Sequence, residues 1–340
     1  MKRRLYTDQW IVITGGAGLL GSAIVERLNQ QHLSNLVLVD RFPGEAPNWR
    51  YLVGRHFQEL LHPDALMSWL EGRDQQIEAI IHLGSLHESM GTSVDQIIQN
   101  NYRFSCDLAE YALKHEIRFI YASCAQTYGD GSYGFSPSID QLPKLSPMSL
   151  TGFSHHLFDL WCQQQQVFDQ FVCCKIFDLL GARDLHKPPE YQTIRRLYRE
   201  LMRDGMVTLY ESPQPDVIPT EVMGRDFIGV RDAAHMLCSF LKNDWSGIYN
   251  VGRGHVTTWL QLVESIAQSC QRSARVQYIP MPESVARRTQ LITCADLSCW
   301  KKQGAHVTTK SIPEVVMETV AEIQSQDQLR EHPKQCPWAQ

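Results

Sequence analysis

Residues 11–28 read IVITGGAGLLGSAIVERL. An apolar run ends in a glycine-rich turn, and the turn opens an amphipathic helical pattern. Gly15, Gly18 and Gly21 form GxxGxxG, while Gly16, Gly18 and Gly21 also satisfy the GxGxxG spacing. The strand before the glycines and the helix after them are the context that gives such a pattern meaning. The early glycines permit a tight turn and let backbone N–H groups approach a pyrophosphate. Gly21 permits close helix–strand packing, and the helix opening at Leu19 and Leu20 supplies partial positive charge. Asp40 ends the next apolar run, 19 residues after Gly21, where a carboxylate hydrogen-bonds an adenosine ribose. The stretch therefore predicts a dinucleotide cradle. Asp40 alone favours NAD, because a carboxylate repels a 2′-phosphate; Arg41 beside it suits gripping that phosphate. The choice between NADP and NAD stays open on these residues.

Outward from this turn, short apolar runs alternate with helical stretches. IVIT (11–14), LVLVD (36–40), AIIH (79–82), FIYAS (119–123) and VCCKIF (172–177) are continuous rather than alternating in hydrophobicity. That is the mark of parallel strands covered on both faces. Residues 22–30, 96–115 and 153–171 read as helices, the last with Phe153, Leu157, Trp161, Phe168 and Phe171 as its apolar stripe. The alternation predicts an α/β fold, a Rossmann-type doubly wound parallel sheet with a smaller, mainly C-terminal substrate domain. We read residues 1–178 with about 226–253 as the nucleotide domain. About 179–225 and 254–325 form the second domain, and 326–340 a polar tail. IYNV (248–251) and RVQYIP (275–280) are the later strands.

The chain has 340 residues, 43% of them hydrophobic, enough for a large core. The net charge of −5 and pI near 6.2, without a long run of one sign, argue against a nucleic-acid surface. Met1-Lys2-Arg3-Arg4 resembles the start of a signal peptide, but the run behind it is too short and glycine-rich, and no segment approaches membrane-spanning length. Ten cysteines lie scattered without a CxxC, as expected of reduced thiols in a cytoplasmic protein. His82, His87, His155 and His156 lack zinc-like spacing, so no metal is expected.

TGGAGLLGS, LVLVD, AIIHLGS, IIQNNYRFS, EIRFIYAS, TYGDG, GRDFIGVRDAA, GIYNVGRG and YIPMPES occur in order with fitting gaps. By these motifs the chain resembles the extended short-chain dehydrogenase/reductase family, the NAD-dependent epimerases and dehydratases. HHLFD, LHK and the overall spacing make it most similar to the ADP-L-glycero-D-manno-heptose 6-epimerase branch, over about 11–323. The resemblance implies an NAD(P)-dependent isomerase of lipopolysaccharide core synthesis acting on a nucleotide sugar, with no net redox. A base takes the hydroxyl proton while hydride leaves the same carbon, and hydride returns to the other face. It also implies cofactor contacts from Leu83, Gly84, Ser85 and Asn100 and at the position of His155. Substrate contacts fall at Asp178, Lys187, Tyr210, Glu211 and Arg225. Related folds form homodimers through the helix that carries the catalytic pair.

The family's catalytic residues are a Ser or Thr, a Tyr, and a Lys four residues after the Tyr. Those positions read Cys124, Thr151 and His155 here. A second-base lysine is retained as Lys187. A threonine hydroxyl is far too weak an acid to replace the phenol, and a neutral imidazole cannot depress a neighbour's pKa. Losing a general base alone lowers a rate by about 10² to 10⁴. His155 titrates near neutrality and reaches the same region. Asp178 replaces a usual asparagine and sits awkwardly for a diphosphate; Pro188-Pro189 replace small residues. Tyr128 belongs to a different motif, and Tyr133 has no lysine four residues on. Three readings follow: an epimerase with rearranged chemistry through Lys187 and His155; a catalytically silent dinucleotide- or sugar-nucleotide-binding regulator or partner subunit; another nucleotide-sugar dehydratase or oxidoreductase.

Overall fold

The computed structural model describes residues 8–42, 47–88, 92–185, 187 and 192–331. Met1–Arg4, Pro188-Pro189 and the last residues of the expected tail lie outside them. The chain begins with β1 (Trp10–Thr14), α1 (Leu19–Gln30), β2 (Leu36–Val39), β3 (Glu59–Leu61), α2 (Pro63–Leu70) and β4 (Ile77–His82). There follow α3 (Val94–Ile98), α4 (Phe104–Lys114), β5 (Arg118–Cys124), α5 (Leu150–Gln164), β6 (Val172–Ile176) and β7 (Asp178–Leu180). Next come α6 (Thr193–Asp204), β8 (Met206–Tyr210), β9 (Gly224–Arg225), β10 (Phe227–Gly229), α7 (Val230–Ser239) and β11 (Gly247–Val251). The chain continues through β12 (Thr257–Thr258), α8 (Trp259–Ser269), β13 (Arg275–Ile279), α9 (Glu283–Ala286), α10 (Ser298–Lys302) and α11 (Ile312–Glu331).

Seven strands form one parallel sheet in the order β11-β6-β5-β4-β1-β2-β3. The order reverses between β1 and β4, which opens a crevice beyond their C-terminal ends. The sheet is buried on both faces because successive strand residues point to opposite sides. Ile11 and Ile13 of β1 join Leu20 and Ile24 of α1 and Ala234 and Leu237 of α7 on one face. Val12 joins Leu108 and Ala112 of α4 and Phe158 and Cys162 of α5 on the other. A third core gathers Leu197 and Leu201 of α6, Leu209 of β8, Val263 and Ile266 of α8, and Val316 and Val320 of α11. Small paired strands, β13 with β8, β12 with β9 and β10 with β7, frame that region.

Two expected elements differ. The helix expected over 153–171 is α5, which ends at Gln164; Gln166 adopts a left-handed φ of 59° and breaks it. The inward face carries Thr151, Ser154, Phe158, Asp159 and Cys162, while Phe153 is 44% exposed. Of the expected stripe, Phe168 and Phe171 are buried, Leu157 and Trp161 are half-buried, and Phe153 alone lies exposed. Residues 326–331, read as tail, continue α11.

Candidate active site and cofactor cradle

The glycine turn folds because its backbone has no room for side chains. Gly15 takes a left-handed φ of +69°, and a Cβ there would lie 3.0 Å from the Gly84 nitrogen and the Leu83 carbonyl carbon. Gly15 N–H bonds the Val39 carbonyl at 2.7 Å, tying the turn to β2. Gly18 is the N-cap of α1 and supplies no side-chain cap, so the first-turn N–H groups of Leu19 and Leu20 have no side-chain partner from the cap. These groups meet the requirements of a pyrophosphate at a helix N-terminus. Asp40 accepts from Ala17 N–H and Arg41 N–H, each at 2.7 Å. Burial pushes the Asp40 carboxyl up, against the pull of those backbone N–H groups. The Arg41 side chain turns to Asp64 at 3.0 Å. The cradle fits a dinucleotide: Gly15, Gly18, Leu19, Leu20 and Gly21 would hold its pyrophosphate and Asp40 a ribose.

Across the crevice, Thr14 joins β1 to β4. Its Oγ1 accepts from Leu83 N–H and Gly84 N–H at 3.1 and 3.0 Å. With both acceptor directions filled, its hydroxyl proton goes to His82 Nδ1 at 2.7 Å. His82 Nε2 must then donate to Ser105 Oγ, 2.8 Å away, and Ser105 donates to the Asn101 carbonyl. The imidazole is neutral in this arrangement, and burial lowers its pKa to about 3. A π-helical turn over Gln99–Arg103 directs both Asn100 and Asn101 at the loop after β4. Asn100 reaches the Gly84 carbonyl at 3.5 Å; Asn101 bonds both the N–H and C=O of Leu86 at 2.8 and 2.9 Å.

The same loop occupies the two altered positions of α5. His155 Nε2 lies 3.0 Å from Ser85 Oγ, and Glu88 N–H donates to Thr151 Oγ1 at 3.2 Å. Thr151 is buried, at 5% exposure. Burial lowers the His155 pKa to about 4, with Asp159 pulling the other way. The expectation that His155 titrates near neutrality is therefore corrected: it is neutral at physiological pH. Cys124 sits at the end of β5 with its thiol pushed up to about 12 by burial, which leaves no thiolate for nucleophilic work. Glu88 also reaches Arg288 in the C-terminal third at 3.1 Å, so the loop ties α5 to that region.

Below α5 lies a polar network the sequence reading passed over. Asp159 accepts from Lys175 at 2.6 Å, Tyr121 at 3.0 Å and Ser123 at 2.9 Å; Lys175 also donates to Thr127 at 2.6 Å. A lone charge inside VCCKIF was the signal available for it. Tyr128 stacks near the Lys175 ammonium and donates to Asn250 at 2.7 Å.

On the substrate side, Asp178 at the start of β7 faces the charges of Arg225 and Lys187. Burial raises the Asp178 carboxyl, and burial lowers Lys187 and Arg225. The carboxylate expected to repel a diphosphate is thus balanced by two cations. Lys187 N–H also bonds the Asp184 carbonyl at 2.8 Å. Tyr210 and Glu211 lie exposed at the end of β8, where Glu211 N–H bonds Ile279 of β13. Asp226, neighbour of Arg225, is fully buried and accepts from Arg253, Gly254 and Ala295 N–H. It holds the end of β11 against residue 295. Among the described residues no three His, Cys, Asp or Glu side chains converge on a metal site, and no helix is long and apolar enough to cross a membrane.

The two buried histidines make a pH prediction. Unfolded, each titrates near 6.5, so below that pH the unfolded chain binds protons that the fold excludes. Their depressed pKa values cost nothing above pH 6.5 and destabilise increasingly as pH falls toward 4. Urea unfolding at pH 5 should show about 2 kcal/mol less stability per histidine than at pH 7. His155→Gln should reduce that slope; an unchanged slope would mean that His155 is charged in the fold.

A profile of the NAD dependent epimerase/dehydratase family matches residues 11–252. The ADP-L-glycero-D-manno-heptose-6-epimerase of Nitratidesulfovibrio vulgaris is 32% identical over 312 residues, covering 91% of this chain and 96% of that protein. The Fusobacterium nucleatum protein of the same name is 30% identical over 322 residues, with the same coverage. Among solved structures, the Helicobacter pylori ADP-L-glycero-D-manno-heptose-6-epimerase has a TM-score of 0.75 at 20% identity, covering 94% of this chain and 97% of that one. The Bacillus cereus UDP-glucuronic acid 4-epimerase, solved with UDP-glucuronic acid and NAD, has a TM-score of 0.76 at 21% identity, covering 94% and 100%. The two structures share the fold, and with the profile and the two sequence relatives the conclusion is plain: this chain belongs to the NAD-dependent epimerase/dehydratase family, within the extended short-chain dehydrogenases/reductases.

Proposed function

We propose that the chain is an NAD(P)-binding, nucleotide-sugar-recognising protein of heptose-epimerase descent in which the acid–base pair of α5 no longer acts. One observation carries this reading: Thr151 and His155 are both engaged with the loop after β4, through Glu88 and Ser85. A bound nicotinamide would supply the hydride acceptor and donor. Around it the glycine turn and Asp40 orient the dinucleotide. Arg225 and Lys187, with Asp178 between their charges, present cations to a diphosphate. Thr151 cannot hold a proton-abstracting charge at neutral pH, and neutral His155 has Ser85 as its partner.

A second reading has its own support, since burial lowers the Lys187 pKa and brings its ammonium nearer to proton exchange at neutral pH. That reading is a slow epimerase working through one base. NMR of ADP-D-glycero-D-manno-heptose with dinucleotide-loaded protein separates the two. We expect no L-glycero epimer from the wild type, and a gain on Thr151→Tyr with His155→Lys. Wild-type turnover abolished by Lys187→Met would overturn the silent reading.

A further inference from the structure

Resting on the nucleotide-sugar reading, we propose that Glu88 and Arg288 form a latch across the sugar end of the crevice, which an entering nucleotide sugar must part and a bare nucleoside diphosphate need not. Different elements set the two ends of the ligand path. Arg225 of β9, with Lys187, faces the diphosphate end, and Thr151 and His155 of α5 stand at the sugar end. Glu88 covers the second end. Its backbone N–H donates to Thr151 Oγ1 at 3.2 Å, and its carboxylate accepts from Arg288 Nη1 at 3.1 Å. One residue thus sits on the altered α5 position with its backbone and holds the opposite wall with its side chain.

Fixed neighbours deliver Arg288 to that point. Two residues on, Gln290 is buried, and its Nε2 donates to the Ala125 and Gly129 carbonyls at 2.9 and 2.8 Å, just past Cys124. Gly224 N–H bonds the Leu291 carbonyl at 3.1 Å, and Thr293 N–H bonds the Gly224 carbonyl at 3.3 Å, so the segment runs beside β9 and Arg225. The guanidinium itself donates through Nε to the Ser284 carbonyl, one turn back in α9, at 3.0 Å. On the other side, Asn101 holds the loop after β4 at Leu86, and His155 meets it at Ser85. Two anchored walls are therefore joined by an ion pair whose side chains are 50% and 34% exposed. An exposed pair is weak and opens at little cost, as a lid contact must.

Two measurements on the full chain test the latch, the first without any ligand. Hydrogen exchange of the Glu88 amide reports its bond to Thr151, and the Leu86 amide, bonded to Asn101 Oδ1, is the internal reference. Arg288→Glu should speed Glu88 exchange about tenfold and leave Leu86 within about twofold, because attraction becomes repulsion. Glu88→Arg added to it remakes the pair with its charges exchanged and should restore slow exchange at residue 88. The second measurement is stopped-flow binding to dinucleotide-loaded protein. Arg288→Ala should raise the association rate of ADP-D-glycero-D-manno-heptose about threefold, the scale of an exposed pair, and leave that of ADP unchanged. Unchanged Glu88 exchange in Arg288→Glu, or ADP accelerated as much as the heptose, would overturn the latch alone. Failure of natively folded protein to bind either nucleotide is a separate result: it overturns the nucleotide-sugar reading and this inference with it.

Discussion

Gly21→Ala is expected to abolish dinucleotide binding and to lower the unfolding free energy by about 3 kcal/mol or more, at the upper end of overpacking costs. A Cβ at residue 21 would stand 2.0 Å from the Gly15 carbonyl oxygen and 2.8 Å from Gly15 C and Gly16 Cα. All three atoms are backbone, so no side chain can rotate away; the turn itself must shift. That turn carries the N–H groups of the cradle and the Ala17 donor to Asp40. Gly18→Ala is the control for stability alone, because its Cβ would meet only the Gly15 oxygen at 3.2 Å. Urea unfolding of both variants, with NAD titration of Gly21→Ala against the wild type, checks the argument. Equal losses of stability in the two would show that the helix does not approach the turn as closely as described.

Lys175→Met is expected to destabilise the fold by about 3–5 kcal/mol. Lys175 and Asp159 are 1% and 0% exposed, with 2.6 Å between nitrogen and oxygen. Removing the ammonium leaves a buried carboxylate with only hydroxyl donors from Tyr121 and Ser123 and a thiol from Cys173. Asp159→Asn in the Lys175→Met background should recover much of the loss, since the unpaired charge disappears. The recovery separates charge burial from packing; a Lys175→Met loss below about 1 kcal/mol, the range of exposed pairs, would mean that water reaches the pair. Asp159 lies one helical turn after His155 on α5, so the same measurements report on the anchoring of the helix that carries positions 151 and 155.

Much of the fold was legible because a doubly covered parallel sheet writes itself as unbroken apolar runs. β1, β2, β4, β5, β6 and β11 all fall on such runs. β3 did not announce itself: Glu59-Leu60-Leu61 lies on the sheet edge, largely exposed, and gives no pattern. β7, β9, β10 and β12 are two or three residues long and exist only through their tertiary partners. The cradle was legible because glycine is demanded there by contact distance. The anchoring of the loop was not, because Ser85 meets His155 across 70 residues of sequence and Glu88 meets Thr151 across 63. The sequence showed that the Tyr and Lys were gone; only the structure shows which bonds their replacements make. Asp178 read as a misfit alone, and its meaning came from Arg225 and Lys187, which single-chain spacing does not bring together.

The strand order has a consequence for the newborn chain. β11 pairs with β6 from Gly247 against Val172 onward, so the last strand of the sheet leaves the ribosome some 75 residues after its partner. At the usual pace of synthesis that interval is about 4 to 15 s. Throughout it β6 has a free backbone edge, with Cys173 and Cys174 at its centre. Such an edge invites pairing with another chain. Conditions that slow translation through residues 180–250 should therefore lower the soluble yield more than equal slowing before residue 170.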